Sequence, residues 1–424
     1  MRADRAAARG TPDAATMTRT VPASQVRVLL IIPPLLPPNT PYPSVPLLTA
    51  FLRSTGWDCR QTDLSIGLLS RVFSRDGLAA LAAHAHRRAP SATDALDVPR
   101  IHWTRYLAAV QPAVSFLRGE RSTPPRRLPM GPRFEQRVEL RRAGSPFAAT
   151  AAQDARFRTS LFLDDIADFV RDRVDERFGF ARYAEHLAAA ASSFEPLRRA
   201  LESPPTPLDR WIDGLAAAAV RRHRPALVGI TVPFPGNVYG ALRIARAVRG
   251  AMPSARIVLG GGYISTELRR LRDPSLFDYT DALVFDDGEI PLLRLAEAAA
   301  AGRSLEGLPR VATRRRMPPE ALAVRSDAAS QLRHRDRPAP CYDGLPLDRY
   351  FGLAETPNPL LRLWSDRCWN KLALAHGCYW RRCVFCDTAL DYIHRFDPAD
   401  AETVVRWMDA AHAQTGQTGF HFTD

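Results

Sequence analysis

The chain has 424 residues, 46% hydrophobic and 24% charged, enough for two or three folded domains with sizeable cores. Its formal charge of +13 would ordinarily raise nucleic-acid binding, but of the 58 basic residues only Lys371 is a lysine, and the 57 arginines are scattered among acids without interleaved aromatics. That skew reads as a GC-rich coding bias and speaks against a nucleic-acid partner, while the lack of any run of 18 apolar residues excludes a membrane-spanning helix.

Residues 1–25 are rich in Arg, Ala and Thr and lack the apolar core of a secretory signal; they read as a disordered tail or an over-extended start, with Met17 a candidate first residue. Residues 26–32 (VRVLLII) form the near-continuous apolar run of a buried parallel strand. A proline-rich loop follows, then a helical stretch ending at Gly56 and a short strand, WDCRQTDLS. A helical insertion is expected over about 67–222. Within it, helical patterns run over 155–202 and 206–223, and the Pro- and Arg-rich stretch 120–146 reads as irregular and exposed.

The same grammar then returns: strand ALVGITVPF, helix VYGALRIARAVRGAM, strand ARIVLGGG, helix YISTELRRL, strand DALVFDDGE and helix IPLLRLAEAAAAG. Alternation at these lengths predicts an α/β domain over 26–311, a doubly wound parallel sheet of Rossmann type. Residues 312–365 are polar and basic and read as an interdomain linker. A second domain is expected from 366, where KLALAHG (371–377) is a new strand.

Six cysteines stand at 59, 341, 368, 378, 383 and 386, three of them within nine residues. A disulfide framework would be denser and more even, so the cluster points to metal and to a reducing compartment, the cytoplasm. Four residues separate Cys378 from Cys383, and two separate Cys383 from Cys386. Thiolates so spaced can wrap an iron–sulfur cube, and three of them leave one iron open. Zinc on the three cysteines with His376 or His394 is the rival, and a ferredoxin-type site is a third reading. Cys59 reads as a buried apolar residue, and Cys341 and Cys368 as ordinary. His84 and His86, two apart, share no helix face and read as surface residues.

A strand ending in Gly-Cys, two more cysteines and an aromatic before the last one resemble the cluster loop of the radical S-adenosylmethionine (SAM) superfamily. The usual spacing there is three residues and then two. The extra residue here, with the Gly-Cys-Tyr-Trp start and Cys-Asp-Thr continuation, is similar to some cobalamin-type members. The resemblance implies a 4Fe–4S cluster on Cys378, Cys383 and Cys386, with SAM chelating the fourth iron and Phe385 near its adenine. It also implies reductive cleavage of SAM to methionine and a 5′-deoxyadenosyl radical.

The α/β domain resembles the cobalamin-binding domain of the same group over 26–66 and 224–311. That implies cobalamin contacts at strand ends, from Thr231, Gly260, Gly261, Gly262 and Gly288. No histidine from an Asp-x-His-x-x-Gly motif would reach cobalt, because that motif is absent. For the glycines the alternative is a tight turn without ligand. For Asp286-Asp287-Gly288-Glu289 it is solvated charge or a helix N-terminal cap.

The expected activity is cobalamin-dependent methylation of a natural product or peptide, with flavodoxin or ferredoxin as electron donor. A cobalamin-independent rearrangement or cyclisation, or a non-catalytic binding remnant, are the alternatives. After Cys386 there follow 38 residues, read as a loop, a helix and a strand, GFHFTD, reaching Asp424. A radical SAM core is a partial (β/α) barrel of six strand–helix units, or about 200 residues on barrel proportions. The expectation is therefore only the start of that barrel, from truncation, a frameshift, a fragmentary record or a split enzyme with a second chain. Substrate specificity is expected in the helical insertion.

Overall fold

Five apolar residues of β1 (Arg27–Ile32) are each at most 2% exposed, and they divide between two cores. Leu29 and Ile31 enter one, and Val28, Leu30 and Ile32 enter the other. The two-residue period of a strand sends alternate side chains to opposite faces, so this sheet is covered on both sides. The computed structural model describes residues 27–88, 100–129, 131, 134, 138–139, 150–189, 193–322, 332–354, 368–384, 386–388 and 390–423. The expectations for the N-terminal tail and Phe385 lie outside the described residues.

From β1 the chain passes through α1 (Ser44–Ser54) to β2 (Asp58–Asp63), which pairs parallel to β1. Next come α2 (Leu64–Val72), α3 (Arg75–Arg88), α4 (Arg100–Arg118), α5 (Ala151–Arg173), the hairpin of β3 (Phe178–Gly179) and β4 (Arg182–Tyr183), α6 (Glu185–Ala189), α7 (Glu195–Glu202) and α8 (Pro207–His223). These helices thicken one layer of the domain: Phe157, Leu161 and Phe162 of α5 share the core that holds Leu29 and Ile31. At the start of α8, Thr206 and Asp209 form a reciprocal capping box with Pro207 in the first turn.

Strands and helices then alternate as expected: β5 (Leu227–Thr231), α9 (Val238–Ala251), β6 (Arg256–Gly260), α10 (Gly262–Glu267), β7 (Ala282–Val284) and α11 (Glu289–Ala300). The sheet order is β2-β1-β5-β6-β7-β8, parallel from β2 to β7. Its winding reverses between β1 and β5, and ligands of doubly wound sheets bind outside the strand carboxyl ends at such a point. The edge strand β8 (Val311–Ala312) runs antiparallel to β7. Two residues are too few to show a strand period, so sequence reading put the domain's last element before it.

After α12 (Pro318–Leu322) the segment read as a linker straps the two parts together. Tyr350 donates its hydroxyl to buried Asp63 at 2.6 Å, and Gln61 Nε2 donates to the carbonyls of Cys341 and Asp343 at 2.8 Å. His334, 1% exposed, contacts the Ala373 carbonyl through Nε2 at 2.8 Å, and its backbone N–H donates to Asp397 at 2.7 Å.

The second part holds β9 (Asn370–Ala373), β10 (Ala375–His376), α13 (Asp391–His394), β11 (Asp397–Pro398), α14 (Ala401–Thr415) and β12 (Phe420–Thr423). β12 pairs parallel to β9 with α14 between them, one β-α-β unit, while β10 pairs antiparallel to β11. Asp400 caps α14 by accepting from Thr403 N–H, and Gly416 ends it at φ +68°. Among the described residues, no helix is long and apolar enough to cross a membrane.

Candidate functional site

A cavity of about 680 Å³ opens between the carboxyl edge of the large sheet and the segment that follows β9. Its α/β wall includes Leu30 of β1, Gly229 to Thr231 of β5, Gly260 and Gly261 after β6, and Asp286 to Glu289 after β7. The facing wall is Ala373, Ala375, His376 and Gly377 with Cys378, Cys383 and Cys386. The three clustered cysteines and four of the five strand-end residues singled out from sequence therefore share one cavity. Gly262 does not line it, being the first residue of α10.

Gly377 turns the chain from β10 into the cysteine loop at φ +74°. A Cβ there would lie 1.8 Å from the Arg395 carbonyl oxygen, so only glycine fits. Cys378 N–H then donates to the Ile393 carbonyl at 2.9 Å, and Cys386 N–H to that of Cys383 at 3.3 Å. All three thiols are half-buried, whereas Tyr379, Trp380 and Val384 are 65%, 56% and 102% exposed. Thiols on one cavity wall and apolar side chains in solvent fit a loop that closes around a thiolate-bound group. Among the described residues, no three His, Cys, Asp or Glu side chains converge on a single ion position. Neither a zinc arrangement nor a three-cysteine cluster site is thus preassembled among them, and His376 Nδ1 stands 3.0 Å from Asp287 Oδ1.

The strand-end glycines divide by cause. Gly261, at φ +110°, would bring a Cβ to 2.8 Å from Val232 N and O, and Gly262 would meet the Pro233 carbonyl at 3.0 Å. The protein's own tight turn requires the first and leaves the second little room. Gly260 is not: its Cβ would make an ordinary 3.6 Å contact with Val284. Its bare backbone on the cavity wall fits close approach by a ligand. Thr231 Oγ1 lies 3.1 Å from Ser44 Oγ, and Gly288 packs beneath Leu48.

The acidic turn departs from expectation. Neither solvated nor capping a helix with its side chain, Asp287 is a buried hub, its side chain 5% exposed. His376 Nδ1 lies at 3.0 Å, Arg395 Nη2 at 2.5 Å, Arg310 Nη1 at 3.4 Å and Arg337 Nη2 at 3.7 Å. Arg337 also pairs with buried Glu289 at 3.0 Å. Burial opposes charge on Asp287, but the hydrogen bond and charge of His376, with Arg395 and Arg337, hold its carboxyl well below the usual range. Three of these partners escape sequence reading, since nothing distinguishes Arg310, Arg337 and Arg395 from the other arginines.

In its cysteine loop and in the order of its two domains, the chain resembles radical SAM proteins with an N-terminal cobalamin-binding-type domain. No protein-family model matches it. It is similar to an uncharacterized methyltransferase of Pyrococcus horikoshii, 26% identical over 234 residues, which cover 50% of this chain and 44% of that protein. Among solved structures it is similar to the radical SAM methyltransferase TsrM of Kitasatospora setae with cobalamin and a 4Fe–4S cluster bound. That likeness has 16% identity and a TM-score of 0.40, over 94% of this chain and 47% of that one. The same enzyme with tryptophan substrate and a SAM analogue gives 0.41 at the same identity and coverage. The chain thus spans about half the length of the proteins it matches.

Proposed function

We propose that the chain carries the cobalamin-binding-type domain (26–311) and the cluster-binding start of the barrel (366–424) of a radical SAM methyltransferase acting on a small molecule or peptide. One observation carries this reading: the three loop cysteines and the ligand edge of the α/β sheet face each other across one cavity. The similarity to a curated methyltransferase supports the same class.

Cys378, Cys383 and Cys386 would hold the cluster, with Phe385 beside SAM. Thr231, Gly260, Gly261 and Gly288 would line the cobalamin side, with Gly262 supporting their turn. When bound, these cofactors would supply the electron that cleaves SAM and the carrier of the methyl group. The protein's share is orientation. Gly377 sets the entry into the cysteine loop. Asp287, through His376 and Arg395, ties that loop to the end of β7, so the two walls keep a fixed separation. The apolar side chains of Leu30, Val45 and Leu292 line the space between them.

The test uses anaerobically reconstituted chain, reduced and mixed with SAM, observed by electron paramagnetic resonance. The cluster signal should change on adding SAM, and cob(II)alamin should be retained on gel filtration. A cluster signal indifferent to saturating SAM would contradict the proposal.

A further inference from the structure

Of the 58 lysine and arginine side chains all but one are arginine, and the exception, Lys371, stands in β9 a few residues before the cysteine loop. Arginine keeps its charge in any environment, whereas lysine is a compact amine on a flexible stem that can give its charge up when buried.

The strand shows which way this position faces. Asn370 and Leu372 are each 2% exposed, and Thr415 of α14 donates its hydroxyl to Asn370 Oδ1 at 2.8 Å. Their face is the one against the helix. Lys371 and Ala373 alternate to the other face, and Ala373 lines the cavity. Lys371 lies two residues, about 7 Å, further along that inner face. It is half-buried, and it has no hydrogen bond or ion pair with any other described residue. Burial holds its pKa below the ordinary lysine value.

Across the parallel pairing, Lys371 is registered with His421 and Ala373 with Thr423. Burial, and then the positive charge of Lys371, hold the imidazole below its own ordinary pKa. Two basic groups therefore stand side by side on the inner face, with no described carboxylate against the amine. An incoming anion would stabilise the ammonium form that burial disfavours.

We infer that Lys371, with His421 beside it, anchors the carboxylate of a bound ligand, borne either by SAM or by an amino-acid or peptide substrate. The inference rests on the cavity being the reaction site, because the anchor occupies the same strand face. A lysine offers the role a compact amine on a flexible stem that can reach a carboxylate.

Protein labelled with 13C at the lysine Cε gives one side-chain resonance, as there is one lysine. Its titration midpoint in the full chain is expected below that of an exposed lysine. N-acetylglycine, a peptide-type carboxylate, should move the resonance and raise the midpoint, whereas the uncharged N-acetylglycinamide should leave both unchanged. SAM is added in a separate arm. A response to SAM alone assigns the anchor to SAM, and a response to N-acetylglycine assigns it to the substrate. No response to either acid, or an equal response to acid and amide, overturns the inference. Running the N-acetylglycine arm on chain with Cys378, Cys383 and Cys386 changed to alanine separates the two claims. A carboxylate response without any cluster in the wild-type chain sinks only the cluster reading. A normal cluster beside a silent Lys371 sinks only the anchor.

Discussion

Asp287 and His376 meet at 3.0 Å, Oδ1 to Nδ1, and the contact joins the end of the α/β sheet to the strand that opens into the cysteine loop. Removing the carboxylate leaves His376, Arg395, Arg310 and Arg337 gathered around an uncharged group. Breaking a buried pair in this way typically costs about 3–5 kcal/mol. Asp287→Asn is expected to lose about that much in urea unfolding. Glu297→Gln, at an exposed pair with Arg294, should change stability by less than about 1 kcal/mol. An Asp287→Asn variant as stable as the surface control would show that the hub does not hold the two parts together.

The same contact sets a pH dependence. The folded carboxyl titrates below its unfolded value, so its stabilisation is complete above about pH 4 and is lost as pH falls through the folded pKa. The stability gap between wild type and Asp287→Asn should therefore stay constant from pH 7 to about 4 and close below that. A gap that opens toward acid would reverse the sign.

Asp63 behaves oppositely. Burial raises its pKa to about 6, against the hydrogen bonds from Tyr350 and the Ile66 N–H. A raised folded pKa means that stability is complete below about pH 4 and falls as pH rises toward 6, by up to about 3 kcal/mol. Asp63→Asn keeps the shape and cannot ionise. Thermal melts should show it more stable than wild type at pH 7.5 and equal to it below pH 4. A variant less stable at both pH values would contradict this.

Gly377→Ala puts a methyl group onto the Arg395 carbonyl at a left-handed backbone position. The far-ultraviolet circular dichroism of the α/β domain should persist, while iron bound after reconstitution should fall at least severalfold. Full iron loading in this variant would mean that the loop does not depend on its entry turn.

Much of this was legible in the sequence because period and chemistry are local signals. The run 26–32 announces a strand buried on both faces, and three cysteines in nine residues announce thiols that stand together on one cavity wall. Asp287 was legible only as part of an acidic turn, because its fate depends on partners 23, 50, 89 and 108 residues further on, at Arg310, Arg337, His376 and Arg395. Nothing local distinguishes such residues before the chain is folded. The strap from His334 to Tyr350 was hidden for the same reason. It is polar, has no period, and is held by individual hydrogen bonds to β2 and β9.

Iron and acid-labile sulfide in anaerobically reconstituted protein test the central claim most directly. The account predicts about four of each per chain, with both lost when Cys378, Cys383 and Cys386 are changed to alanine and retained when Cys59, Cys341 or Cys368 is. Stoichiometric zinc without sulfide, or iron that survives the triple substitution, would contradict it.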